Sequence, residues 1–269
     1  ELRTTWPIVE APGASALGDF TTRYEVELPD YARVEAKQVV TRSGLGNVLA
    51  KRAAGEPVTV AYFGGGIHPA DGWRKSILEW FRVRSSQVTE VDASICDCSR
   101  GSGFSVYRFQ HDVLAHNPDL VVVDFASDDY QTDPGSIMAA IEGVVRQARR
   151  ANPKLDILFV YAFRASMEKD YMEGKAPYAI SAYERIADHY GIPSINMGMR
   201  VAQLFQQGKL LIQGTPEEAK AAGKLLFSAD GVRPLADGNR IYSEALTAGL
   251  DVLLDQGAKP VNYPLPPPY

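Results

Sequence analysis

Runs of consecutive β-branched and aromatic residues alternate along this chain with stretches whose apolar positions recur every three or four residues. The runs predict strands at 58–63, 88–91, 120–125, 157–161 and 192–195, and the periodic stretches predict helices at about 73–83, 105–116, 135–151, 177–190, 198–207, 216–223 and 237–256. Strands that are apolar throughout, rather than at every second position, are buried on both faces. The expected fold is therefore α/β: a three-layer α/β/α sandwich around a mostly parallel sheet. Function in such sheets gathers just beyond the carboxyl ends of the strands. Here those loops begin at Gly64, about Ala93, Ala126, Ala162 and Asn196.

The flanks read differently. Residues 1–40 show strand-like alternation at Tyr24-Glu25-Val26-Glu27-Leu28 and predict an extended β arm ahead of a domain at 41–256. The Pro-rich segment 257–269 cannot continue a helix, and predicts an extended end, either free of any role or strapped across the surface.

Composition narrows the function classes. At 269 residues, with 45% hydrophobic and 23% charged, one main domain with a sizeable core is expected. A net charge of −5 provides no positive field for a phosphate backbone, so nucleic acid is not an expected partner. No apolar run approaches the roughly 20 residues of a membrane span, and residues 1–20 lack the pattern of a signal peptide, which is expected to have been removed already. The two cysteines, Cys96 and Cys98, are too close in sequence for an easy unstrained bridge and read as a loop or strand-end pair; no second Cys/His cluster completes a metal site with them.

The loop after the first long strand, Phe63-Gly64-Gly65-Gly66-Ile67-His68-Pro69-Ala70-Asp71-Gly72-Trp73-Arg74, turns on three glycines before a helix. It lacks the Lys-Ser/Thr of a P-loop and the spacing of a dinucleotide fingerprint. It resembles instead the first block, Gly-Gly-Ser-Ile-Thr, of the SGNH/GDSL hydrolases, with Gly66 at the serine position and His68 at the threonine position. Ser99-Arg100-Gly101-Ser102-Gly103 is similar to the second block, with Gly101 as its backbone donor. Asp128-Asp129 stands where Asn-Asp is expected, and Asp230-Gly231-Val232-Arg233-Pro234 where the family has Asp-x-x-His-Pro. The resemblance covers about 40–256 and implies a flavodoxin-like SGNH fold. It also implies a secreted or periplasmic setting, with an oligosaccharide or polysaccharide substrate and no cofactor.

Three replacements remove the family's serine-esterase chemistry. Gly66 has no nucleophile, an ionised Asp128 accepts hydrogen bonds where an oxyanion needs donors, and Arg233 cannot act as a base. Of the four histidines, only His68 falls in a site loop; His111, His116 and His189 read as structural or surface residues. What the site gains is acid: Asp71, Asp128 and Asp129 join Asp230, with Arg100 and Arg233 opposite. One account pairs Asp128 with Arg233 in a dead, glycan-binding site. Another, favoured on sequence, makes Asp128 with Asp230, Asp71 and His68 the acid–base groups of a glycoside hydrolase or related glycan-cleaving enzyme, and a third keeps a carbohydrate or lipid ester hydrolase with a diverged site. Substrate contacts are then expected from Gly66, Gly101, Arg100, Asp129, Tyr130, Trp73 and Arg233. Sugar stacking falls to Trp73 and Tyr130, and core packing to Tyr62 and Tyr107. A divalent metal on Asp128, Asp129 and His68 is disfavoured by the neighbouring arginines.

Overall fold

The structure is a computed structural model and describes residues 32–65, 72–94 and 101–269. The expected arm lies outside these as far as residue 31, and Gly66, His68, Asp71, Arg100 and both cysteines lie outside them too.

After a short strand β1 (Val39–Val40) and helix α1 (Gly46–Ala54), the apolar run at Val58 becomes β2 (Val58–Gly64), followed by α2 (Arg74–Arg82) and β3 (Val88–Asp92). Two one-turn helices, α3 (Ser102–Ser105) and α4 (Phe109–Asp112), lead to β4 (Leu120–Asp124) and the long α5 (Pro134–Ala151), then β5 (Asp156–Tyr161). Next come α6 (Glu168–Met172), α7 (Tyr178–Tyr190), β6 (Ser194–Asn196) and α8 (Met197–Gln206). The chain continues through β7 (Leu210–Gln213), α9 (Pro216–Ala222), β8 (Leu225–Ser228) and α10 (Ala236–Asp255). The main sheet has the order β1-β6-β5-β4-β2-β3, with only β1 antiparallel. β7 and β8 make a separate parallel pair.

Every residue of β4 and β5 is buried, which is why these strands read as unbroken apolar runs. The first crossover, from β2, leads to β3 on one side, while β4 returns to pair with β2 on the other. The direction of winding therefore reverses between β2 and β4. Their carboxyl ends, at Gly64 and Asp124, flank the crevice in which such sheets bind ligands.

Two expectations need correction. The helix predicted at 105–116 is broken into α3, α4 and a 3₁₀ turn at Leu114–His116, ending on Asn117 at φ 48° before Pro118; Phe109 and Val113 are the fully buried apolar residues of the stretch, with Val106 and Leu114 packed partly against the core. Tyr107, assigned to the core, is 87% exposed because it falls in the break. The tail, by contrast, is a strap. Tyr263 is buried beneath the Arg149 guanidinium, 3.6 Å from its ring centroid, and its N–H donates to the Pro153 carbonyl at 2.8 Å. Further along, the Pro267 carbonyl meets His189 at 2.9 Å.

Candidate functional site

The crevice is built around the end of β4. Asp124, its last residue, is fully buried and accepts a hydrogen bond from the Tyr62 hydroxyl at 3.1 Å. Burial pushes its carboxyl up to about 8, the nearby Asp128 charge adds to the rise, and the Tyr62 hydroxyl, Arg74 and the Ala162 N–H only partly offset it. Asp124 thus holds its proton at neutral pH. Arg74 lies over the other side of Tyr62, 3.8 Å from the ring centroid, and is itself neutralised by Glu90 and Asp92 at 2.9 and 3.0 Å.

From Asp124 the chain turns sharply: the N–H groups of Asp128 and Asp129 both donate to the Phe125 carbonyl at 2.9 Å. Asp128 is 9% exposed and lies against Gly65, where a methyl group would sit 1.9 Å from its Oδ2. Gly65 therefore allows the backbone to pass directly over this carboxylate; any side chain there would displace it. Gly65 is fixed there by its own N–H, which donates to the Asp124 carbonyl at 3.1 Å.

Asp129, expected among the substrate contacts, is instead enclosed by protein partners. Its Oδ1 accepts from the Ser102 N–H and its Oδ2 from the Tyr183 hydroxyl, each at 2.9 Å, and the residue is buried. It clasps the loop carrying Gly101, which packs so closely that a Cβ there would lie 1.8 Å from Oδ1. Trp73 is likewise not a sugar platform. It is wholly buried, edge-on to Tyr62 and Tyr242 at 5.9 and 6.5 Å.

The loop after β8 overturns a third assignment. Asp230 accepts from the N–H groups of Val232 and Arg233 at 2.8 and 2.7 Å, from the Ser228 hydroxyl at 2.8 Å and from the Arg233 guanidinium at 2.9 Å. Partial burial would raise its carboxyl, but these donors, led by the two backbone N–H groups, hold it well below the usual range. So stabilised an anion makes a poor general base. Arg233, half exposed, takes its counter-ion from three residues upstream rather than from Asp128.

One group at this end escaped the sequence reading. Arg164, just past β5, lays its guanidinium 3.8 Å from the Tyr130 ring centroid and donates to the Ser127 carbonyl at 3.1 Å. The following N–H, of Ala165, donates to the Gly231 carbonyl at 2.8 Å, so the β5 loop joins the Asp128 turn to the Asp230 loop. A basic residue at the carboxyl end of a buried strand was the available signal. Asp124 was visible too, as the lone acid in an apolar run, but was read only as part of the strand. Among the described residues no His/Cys/Asp/Glu group is arranged to hold a metal, and no helix is long and apolar enough to cross a membrane.

No family model and no curated protein matches the chain. Solved structures do. A two-domain esterase active on acetylated mannans aligns with a TM-score of 0.66 and 23% identity over 84% of this chain and 59% of its own; co-crystallised with mannopentaose it aligns at 0.63 and 23%, over 82% and 55%. This chain thus spans a little over half the length of that esterase. A catalytic mutant of an acetylxylan esterase from Geobacillus stearothermophilus aligns at 0.55 and 12% identity, over 72% of this chain and 94% of its own. At these identities the likeness concerns the fold alone, an α/β architecture shared with these esterases and of the kind that the resemblance to SGNH/GDSL hydrolases implies.

Proposed function

We propose that the protein is a glycan-directed hydrolase that cleaves an acyl ester of a polysaccharide with a carboxylate in place of the serine. The observation that carries this reading is the pair at the end of β4: Asp128, in the crevice, beside a buried Asp124 that keeps its proton at neutral pH. In this scheme Asp128 takes a proton from a water that attacks the ester carbonyl carbon. The tetrahedral adduct then expels the sugar oxygen, which receives that proton back from Asp128, leaving a free sugar hydroxyl and a carboxylic acid. Asp124 does not touch substrate; as a neutral neighbour it lets Asp128 be the single anion of the pair.

An ester is favoured over the glycosidic bond because glycosidic cleavage needs two working carboxyl groups flanking the bond. Of the other described carboxylates at this end, Asp129 is enclosed by Ser102 and Tyr183, Asp230 is engaged by Arg233, and Asp92 pairs with Arg74. The structural neighbours that act on acetylated mannans and xylan support a glycan ester as substrate. Such a substrate is met outside the cytoplasm, and the same reading puts the protein there.

A second reading is a glycan-binding protein without turnover. It is favoured by the Asp230–Arg233 pair, a fixed cation with its own counter-ion where the fold's histidine is expected. Release of acetate from acetylated manno- and xylo-oligosaccharides separates the two: the hydrolase reading expects release that Asp128→Ala abolishes, whereas saturable binding with no acid released establishes the second.

A further inference from the structure

Arg164 sets a condition on the substrate. Its side chain is half buried, yet no carboxylate lies within ion-pair distance of it among the described residues. The neighbouring cations differ: Arg233 has Asp230, and Arg74 has Glu90 and Asp92. A partly desolvated cation without a counter-ion is unfavourable unless something supplies the anion. The guanidinium is also held in one orientation. It stacks on Tyr130, which is itself 37% exposed, and it spends one N–H on the Ser127 carbonyl, leaving most of its five donors uncommitted. Its peptide neighbour is pinned to Gly231. The group is therefore fixed between the turn carrying Asp128 and the loop carrying Asp230, at the carboxyl ends of β4 and β5. A flat, oriented guanidinium fork is matched by a carboxylate through two parallel hydrogen bonds, better than by a hydroxyl.

We propose that Arg164, held flat on Tyr130, is the carboxylate-binding group of the site, and that the glycan it takes carries a uronic acid beside the acylated sugar. This rests on the glycan reading above. It also changes the role expected of Tyr130: one face of its ring supports the arginine instead of a sugar.

The test is calorimetric binding of the full chain to three oligosaccharides of equal length: a neutral one, the same chain bearing one uronate, and the same chain bearing one sulfate. The uronate form is expected to bind at least about ten-fold more tightly than the neutral form, since hydrogen bonds to a charged partner are the strong ones. In Arg164→Met that ratio falls to about one, and Arg164→Lys, which keeps the charge but not the fork, retains part of it. A wild-type ratio near one overturns the inference and leaves the glycan reading standing. So does a ratio undiminished in a folded Arg164→Met, or a sulfated ligand bound better than the uronate. If Arg164→Met fails to fold, the wild-type ratio and the Lys variant still decide. Binding of none of the three contradicts the glycan reading itself, and the inference falls with it.

Discussion

Asp124 and Asp156 are the same residue in nearly the same burial, at opposite ends of neighbouring strands. Asp124 closes β4 and Asp156 opens β5; both are wholly buried, and burial pushes both carboxyls up, to about 8 and about 6. Their partners differ. Asp156 accepts from the Val48 N–H at 2.7 Å, from the Asn47 amide at 3.3 Å and from the Tyr263 hydroxyl, with Arg149 nearby. It ties α1, the start of β5 and the C-terminal strap into one joint. Asp124 has the Tyr62 hydroxyl, the Ala162 N–H and Arg74 and, unlike Asp156, a second carboxylate close by in Asp128, whose negative charge pushes it further up. Partners, not burial, separate a structural carboxylate from one whose proton is held beside a crevice.

The difference is broken most severely at the structural end. Asp156→Ala leaves the Val48 N–H buried without its acceptor and the Tyr263 hydroxyl with only a long contact to the Gly44 carbonyl at 3.5 Å, and is expected to cost about 2–4 kcal/mol in urea unfolding. Ligand binding per folded molecule should persist. Asp124→Asn, which resembles the protonated acid already present, is expected to cost less than about 1 kcal/mol near pH 6.

Its signature lies instead in pH dependence. Both carboxyls are raised in the folded state, so each contributes stability that is fully present below the ordinary carboxylate range and lost as pH rises through its folded value. From Asp156 the loss is complete near pH 6; from Asp124 it continues to about pH 8, at about 1.4 kcal/mol per pH unit for one proton. Asp124→Asn should therefore flatten the stability profile between pH 6 and 8. An unchanged slope there would show that Asp124 is already ionised. The smallest effect is expected from Tyr263→Phe, which removes one donor from Asp156 while keeping the ring under Arg149, at about 1 kcal/mol.

The layers were legible because the strands are buried on both faces, so that 58–63, 120–125 and 157–161 stand out as continuous apolar runs. Helix α1 and the pair β7/β8 were missed, being short and carrying no comparable run. In the site, the position of Asp128 was readable, but the environments of its neighbours were not. Trp73 is buried by Tyr242 and its backbone N–H donates to the Asn239 side-chain oxygen, more than 160 residues away. The engagement of Asp230 was the more readable failure. An aspartate followed at two and three residues by backbone donors is a local Asx turn, and Asp-Gly-Val-Arg allowed it to be seen. The analogy with a catalytic aspartate obscured the turn. Arg164 lay in a loop already marked as functional, without a motif to single it out.

The most direct test of a carboxylate-driven site is Asp128→Asn, assayed as acetate released from acetylated oligosaccharide at pH 6–7. That substitution introduces the amide that the resemblance to SGNH/GDSL hydrolases implies at this position, so the two accounts diverge in sign. If Asp128 handles the water's proton, release falls by about 10²–10⁴-fold, the range of general acid–base contributions. If the site is merely an esterase centre that has drifted, restoring an oxyanion donor leaves release unchanged or raises it, and the account given for Asp128 is contradicted.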